Sequence, residues 1–222
     1  MPKLTLRETV SSTKSHLEIL NQLSSKGVVY VEEDTGTLKI GDGVSNYLDL
    51  SAIKGGSASD THGFADYNDD STLSSPVTLE DGVWTNIPNN GEGAFTNIKL
   101  PSEVTTLLDP STGAILVNEL PIGSSIVVRM DYTVTPTTNN SALGFRYSLG
   151  SGAGTYTLET AVNRLDEGSG VGYRQALVAH YIYVGDDNTK DNPIQPQVKL
   201  SGGGTLVNAG MVIEVRKSNN GY

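Results

Sequence analysis

Asp66, Asn68 and Asp70 place side-chain oxygens at alternate positions in Asp66-Tyr67-Asn68-Asp69-Asp70. That spacing matches the first three ligand positions of a calcium loop, where such oxygens turn toward one cation. The match stops there. Ser71 stands where the sharp turn needs glycine, and Val77 stands where the closing glutamate belongs. A solvated acidic linker accounts for these residues better, with calcium as the second reading. Asp186-Asp187-Asn188 is a similar acidic cluster and reads as a hairpin turn. Glu32-Glu33-Asp34 offers neighbouring carboxylates of the kind that cleave glycosidic bonds, but a solvated strand end explains it as well. Were the chain catalytic, Glu32, Asp66, Asp70, Asp131 and Asp186 would be the residues from which to draw a carboxylate pair.

Other chemistries find less. Gly150-Ser151-Gly152-Ala153-Gly154 and Gly168-Ser169-Gly170-Val171-Gly172 look like phosphate loops. Neither opens a helical pattern and no Lys-Ser/Thr follows, so both read as connections between strands. His16, His62 and His180 are far apart, with no H-x-x-x-H pair and no G-x-S-x-G elbow. His180 lies between Val178 and Ile182 and reads as a packed strand residue. Asn139-Asn140-Ser141 is a formal glycosylation sequon that reads as a polar hairpin tip. The chain has no cysteine, which excludes disulfides, thiolate metal sites and a thiol nucleophile. The expectation is therefore a non-enzyme without catalytic, cofactor-binding or metal-binding residues.

The elements that carry these residues are mostly strands. Gly numbers 25 and Tyr 10 among 222 residues, while only 36% are hydrophobic, a profile of β structure with many turns. The net charge of −10 opposes nucleic-acid phosphates and anionic membranes. MPKLTLRETV lacks the apolar core of a signal peptide, and no run approaches a membrane span. Ser15-His16-Leu17-Glu18 fits a capping box opening a short helix that Gly27 would stop. The Gly/Ser/Asp-rich stretch Ile53–Ser75 reads as a linker with room for one short strand near Phe64–Tyr67.

Beyond Pro76 strand patterns follow one another. Trp84 and Asn86 alternate with Val83, Thr85 and Ile87; Ala94, Thr96, Ile98 and Leu100 share a face. Ser102–Asp109 reads as a single helical turn. Ile126 to Val134 and Leu143 to Leu149 alternate apolar and polar. Arg174–Val184 is apolar on both faces, so it is either a central strand or a subunit contact. Met211, Ile213 and Val215 close the series. The expected fold is mainly β: a small N-terminal helix and β segment, then an antiparallel β-sandwich of jelly-roll type.

Gly27–Leu50 is the densest stretch. Val28–Val31 and Leu38–Ile40 read as strands, with turns at Asp34-Thr35-Gly36 and Gly41-Asp42-Gly43. Such a unit is too small to bury a core of its own and needs partners. The run resembles the DTGxLKIGDGxxxYxDL motif of bacteriophage tail-fibre and virion appendage proteins, and is similar to the N-terminal domain of the phage major tropism determinant. It covers 24 of the 222 residues. The resemblance implies a trimerising segment built on Asp34, Thr35, Gly36, Leu38, Ile40, Gly41, Asp42 and Gly43. GSSIVVRMDYTVTP and GMVIEVRK look like strands of trimeric jelly-roll heads of the tumour-necrosis-factor and complement type.

Together these imply a homotrimeric virion structural protein, made in the host cytoplasm and free of cofactors. Residues 1–53 would anchor and trimerise, 54–75 would link, and 76–222 would form the head. Its partners would be further copies of itself, other virion proteins and a host-surface glycan or protein receptor. The alternative is a capsid decoration or head-fibre protein that stabilises the shell.

Overall fold

The computed structural model describes residues 8–12, 23–33, 37–53, 61–165, 170–176 and 180–218. The chain divides into two compact units, Met1–Ser57 and Ala58–Tyr222.

The first unit is a four-stranded sheet ordered β1 (Glu8–Ser12), β2 (Val28–Glu32), β3 (Thr37–Ile40) and β4 (Ala52–Ile53). β1 runs parallel to β2, and the other pairs are antiparallel. Alternation along β2 turns Val28, Tyr30 and Glu32 inward. Among the described residues its apolar core is Val28, Tyr30, Tyr47 and Leu50. Asp34, Thr35 and Gly36 lie outside the described residues, as do 15–22 of the expected helix. The remainder of that helix is not helical. Leu23 bridges Asn46 in extended backbone, and Lys26-Gly27 form a turn.

The second unit is a two-sheet sandwich. Its larger sheet runs β14 (Tyr173–Ala176), β11 (Ser125–Pro136), β17 (Gly204–Arg216), β5 (His62–Asn68), β8 (Asn97–Lys99). β15 (His180–Tyr183) also pairs with β11, and β6 (Val77–Leu79) with β17. The smaller sheet runs β13 (Tyr156–Leu165), β12 (Ser141–Leu149), β16 (Gln195–Leu200), β7 (Thr85–Asn86). β9 (Leu108–Asp109) and β10 (Ala114–Ile115) form a separate antiparallel pair. α1 (Ser71–Ser74) and α2 (Asp187–Lys190) are single turns. The pairing is nested: β5 with β17, β7 with β16, β11 with β14 and β15, β12 with β13. First strand pairs with last and second with second-last, and the successive pairs alternate between the sheets. That nesting defines a jelly roll.

The core lies between the sheets. Ile126, Val128, Met130, Tyr132 and Val134 of β11 face Leu143, Phe145, Tyr147 and Leu149 of β12, all buried. On β17 the inward residues change parity, from Leu206 and Asn208 to Met211, Ile213 and Val215. A bulge opposite Asp131/Tyr132 inserts the extra residue that permits this. Gly210 sits there at φ 134, with Tyr67 O 2.4 Å from where a Cβ would stand. No other residue fits that approach.

Four expectations change. The stretch read as a linker, 54–75, holds the strand expected near Phe64–Tyr67, but this strand, β5, is longer and its Ala65 and Tyr67 are buried. Its polar alternate residues belong to the outer face of a strand, so the head begins before Pro76. Ser102–Asp109 is not a helical turn; Glu103 has φ 69 and the run ends in β9. The run Arg174–Val184 is not central. Its described parts, in β14 and β15, pair with β11 at the edge of the larger sheet, and Tyr181 and Tyr183 are 62% and 52% exposed. Asn139-Asn140-Ser141 is no hairpin tip, because β11 and β12 belong to different sheets.

Candidate functional site

In the first unit the motif residues build the structure itself. Tyr47 packs edge-on against Tyr30 at 5.5 Å between ring centroids. Its hydroxyl donates to the buried carboxylate of Glu32. Lys39 Nζ lies 4.0 Å from Glu32 Oε1 and 4.4 Å from the Tyr47 ring centroid, and donates to Tyr47 O at 3.3 Å. The charge buried at Glu32 is thus met by a phenol and an ammonium, as burial of a carboxylate requires. Leu38 pairs with Ile53, and Ile40 with Val29.

Asp42 closes the following turn. It accepts from Ser45 Oγ at 2.6 Å, Ser45 N at 2.7 Å, Val44 N at 2.9 Å and Ser24 Oγ at 3.2 Å. These bonds, the Ser45 hydroxyl first, hold its carboxyl well below the usual carboxylate range. Gly43 takes φ 84. Gly41 has another reason to be glycine: Ser25 O lies 2.1 Å from where its Cβ would be. Its N–H donates to Val28 O, and its carbonyl accepts from Gly27 N, both at 2.8 Å.

In the head each candidate carboxylate has its own partner. Asp66 accepts from Asn68 Nδ2 at 2.9 Å, so these two supposed calcium ligands bond each other. Asp70 accepts from Asn90 Nδ2 at 2.6 Å. Asp69, between them, turns inward. It accepts from Thr72 Oγ1 (2.6 Å), Ser71 Oγ (2.8 Å), Thr72 N (2.9 Å) and Asn90 N (3.0 Å). Burial alone would raise its carboxyl, but these bonds outweigh it and the net direction is down. Asp131 pairs with Arg129 at 2.9 Å. Asp186 caps α2 by accepting from Thr189 N at 2.7 Å, so this acidic cluster opens a helical turn rather than forming a hairpin. Glu32 sits in the other unit. Among the described residues no group of three or more His, Asp or Glu side chains is placed to hold a metal.

His62 lies on β5, and His16 falls outside the described residues. His180 Nε2 meets Thr160 Oγ1 at 3.0 Å, with its ring against Phe145 and Tyr147 at 5.8 and 5.3 Å. The loop Gly150–Gly154 is filled by Asn188, which donates to Gly154 O and accepts from Ser151 N. Of the second glycine loop, 168 and 169 lie outside the described residues.

Sequence reasoning passed over one constellation. Trp84, just before β7, lies over the outer face of the smaller sheet. The Arg146 guanidinium carbon is 4.2 Å and Lys199 Nζ 4.5 Å from its ring centroid. Gln197 Oε1 accepts from Arg146 Nε, and Gln197 Nε2 donates to Asn86 Oδ1, both at 2.7 Å. The available signal was polar alternation: Arg146 and Lys199 fall on the outward positions of β12 and β16, as Trp84 and Asn86 do near β7.

No protein-family model matches the chain, and no curated protein matches it. Solved structures do. Eiger TNF from S. frugiperda is 10% identical, with a TM-score of 0.40 over 72% of this chain and 95% of its own. A viral-particle structure of infectious bursal disease virus is 11% identical, with a TM-score of 0.32 over 87% of this chain. A mutant VP2 protein of the same virus, in derived particles, is 12% identical at 0.29. This chain spans 62% of the length of each of the last two. The jelly roll itself rests on the nested strand pairing above.

Proposed function

We infer that this is a non-enzymatic structural protein of a bacteriophage virion, a homotrimeric appendage whose jelly-roll head contacts the host surface. The observation that carries the reading is the motif-bearing β unit. Its Glu32–Tyr47–Lys39 contact and its strands serve to close a sheet, and its apolar core among the described residues is four side chains. A unit that small gains stability by association.

The outer face of the larger sheet supports self-association. One row across it reads Tyr181, Val127, Glu214, Phe64 and Lys99. Tyr181 is 62% exposed, and Tyr183 and Phe64 on the same face are also exposed. Exposed aromatic groups with polar neighbours suit a contact between copies.

Analytical ultracentrifugation of the full chain should give about three times the 23.5 kDa monomer mass. Tyr181→Ser with Phe64→Ser should lower it. A stable monomer at micromolar concentration would sink the trimer. Immunogold label on the tail tip supports the fibre reading, and label on the shell replaces it with capsid decoration.

A further inference from the structure

We propose that Trp84, Arg146 and Lys199 form a subsite for one carboxylate-bearing sugar unit of an acidic polysaccharide. The inference deepens the host-surface reading of the head and rests on it.

Two cations converge on one indole in a chain with 25 acidic and 15 basic residues. Neither has a carboxylate partner among the described residues. Arg146 is held only through Nε by Gln197, which leaves its terminal nitrogens for an incoming anion. Glu159 stands opposite Arg146 in register on β13 and makes no ion pair with it. A bound carboxylate would accept from these cations through charge-assisted hydrogen bonds.

The indole supplies the other half of recognition. The C–H face of a pyranose is apolar and suits the part of an indole that the cations leave uncovered, and its rim of hydroxyls needs polar partners. Gln197 and Asn86 are such partners, and their mutual bond fixes them before binding. Gly144 bears no side chain at the foot of the ring; a Cβ there would stand 3.3 Å from Trp84 Cη2. Opposite Gly144 is Ala161, which with Ala142 and Asn163 borders a depression of about 530 Å³. That volume falls in the range of small-ligand sites and gives adjoining sugar units room on the same sheet. Nucleic acid is disfavoured, because tracking a phosphate backbone needs a run of cations and this chain carries a charge of −10.

Trp84 is the only tryptophan, so the intrinsic fluorescence of the full chain reports this site directly. Titration with polygalacturonate, alginate and hyaluronate at low salt should change Trp84 emission saturably with at least one of them. Dextran and oligo-dT should not. Arg146→Gln with Lys199→Gln should weaken the response about tenfold or more, since each charge-assisted bond lost is worth about that factor. Both side chains are on the outer face and outside the core, so the double variant should stay folded, its melting temperature lowered only by the lost ring contacts and the Gln197 bond. No response to any of the three polyuronates, an equal response in the double variant, or a stronger response to oligo-dT overturns the subsite. Whole-cell binding separates this from the parent reading. Cells bound equally by wild type and double variant defeat the subsite alone. A polyuronate response without cell binding defeats the host-surface reading alone.

Discussion

Removing the hydroxyl of Tyr147 should make the head more stable. Tyr147 is fully buried on β12, and its ring lies edge-on to Phe145 at 4.9 Å. Its hydroxyl has no hydrogen-bond partner among the described residues, and neither does that of the neighbouring buried Tyr132. An unsatisfied buried hydroxyl costs about 1–3 kcal/mol. Tyr147→Phe keeps the ring contacts and loses that cost. In a unit of this size each kcal/mol moves Tm by about 2–4 °C, so calorimetry of the full chain should show a rise of about 2–12 °C. Phe145→Ala, in the same assay, should lose about 3–5 kcal/mol by opening a cavity. The alkaline limb gives a second readout. Burial pushes both phenols above the usual tyrosine range. The folded chain then keeps protons that the unfolded chain releases above about pH 10. Stability therefore falls as pH rises past that point, and Tyr147→Phe should fall less steeply. A lower Tm in Tyr147→Phe at neutral pH would show that the hydroxyl is bonded and would refute the reasoning.

Three further outcomes follow from the same geometry. A chain beginning at Ala58 should fold as a head, whereas one beginning at Pro76 should not, because it lacks β5 with buried Ala65 and Tyr67; circular dichroism of the two truncations decides. Gly41→Ala should open the first unit, because its Cβ would meet Ser25 O at 2.1 Å, while the head's melting transition stays put; amide exchange over β2 and β3 is the measurement. Asp42, Asp69, Asp109, Glu119 and Asp186 all have carboxyls held below their usual range by hydrogen bonds. Their stabilisation is complete above the unfolded carboxylate range and is lost as pH falls below about 4, so Tm should drop on acidification and Asp69→Asn should drop less.

Local alternation was enough to establish the class of the fold. Side chains of a strand point to opposite faces in turn, so Ile126 to Val134, Leu143 to Leu149 and the start of β2 declare both their conformation and their buried side. Turn chemistry placed Gly41-Asp42-Gly43 for the same reason: a short polar side chain and a glycine act on their immediate neighbours. Pairing between distant segments is not written locally. Arg174–Val184 has apolar residues at successive positions, and only the sheet shows that its described parts lie at an edge with Tyr181 and Tyr183 outward. Asp66 and Asn68 have the spacing of cation ligands, yet β5 makes them neighbours that bond each other. The extra residue at Ala209–Gly210 shows as a bulge only when β11 is laid beside β17. Trp84, Arg146 and Lys199 come from three strand regions that are neighbours only once β7, β16 and β12 are side by side. Sequence fixes which face of a strand is buried because that depends on a two-residue period; which strands lie together depends on contacts across the whole chain, and so does every site made of more than one of them.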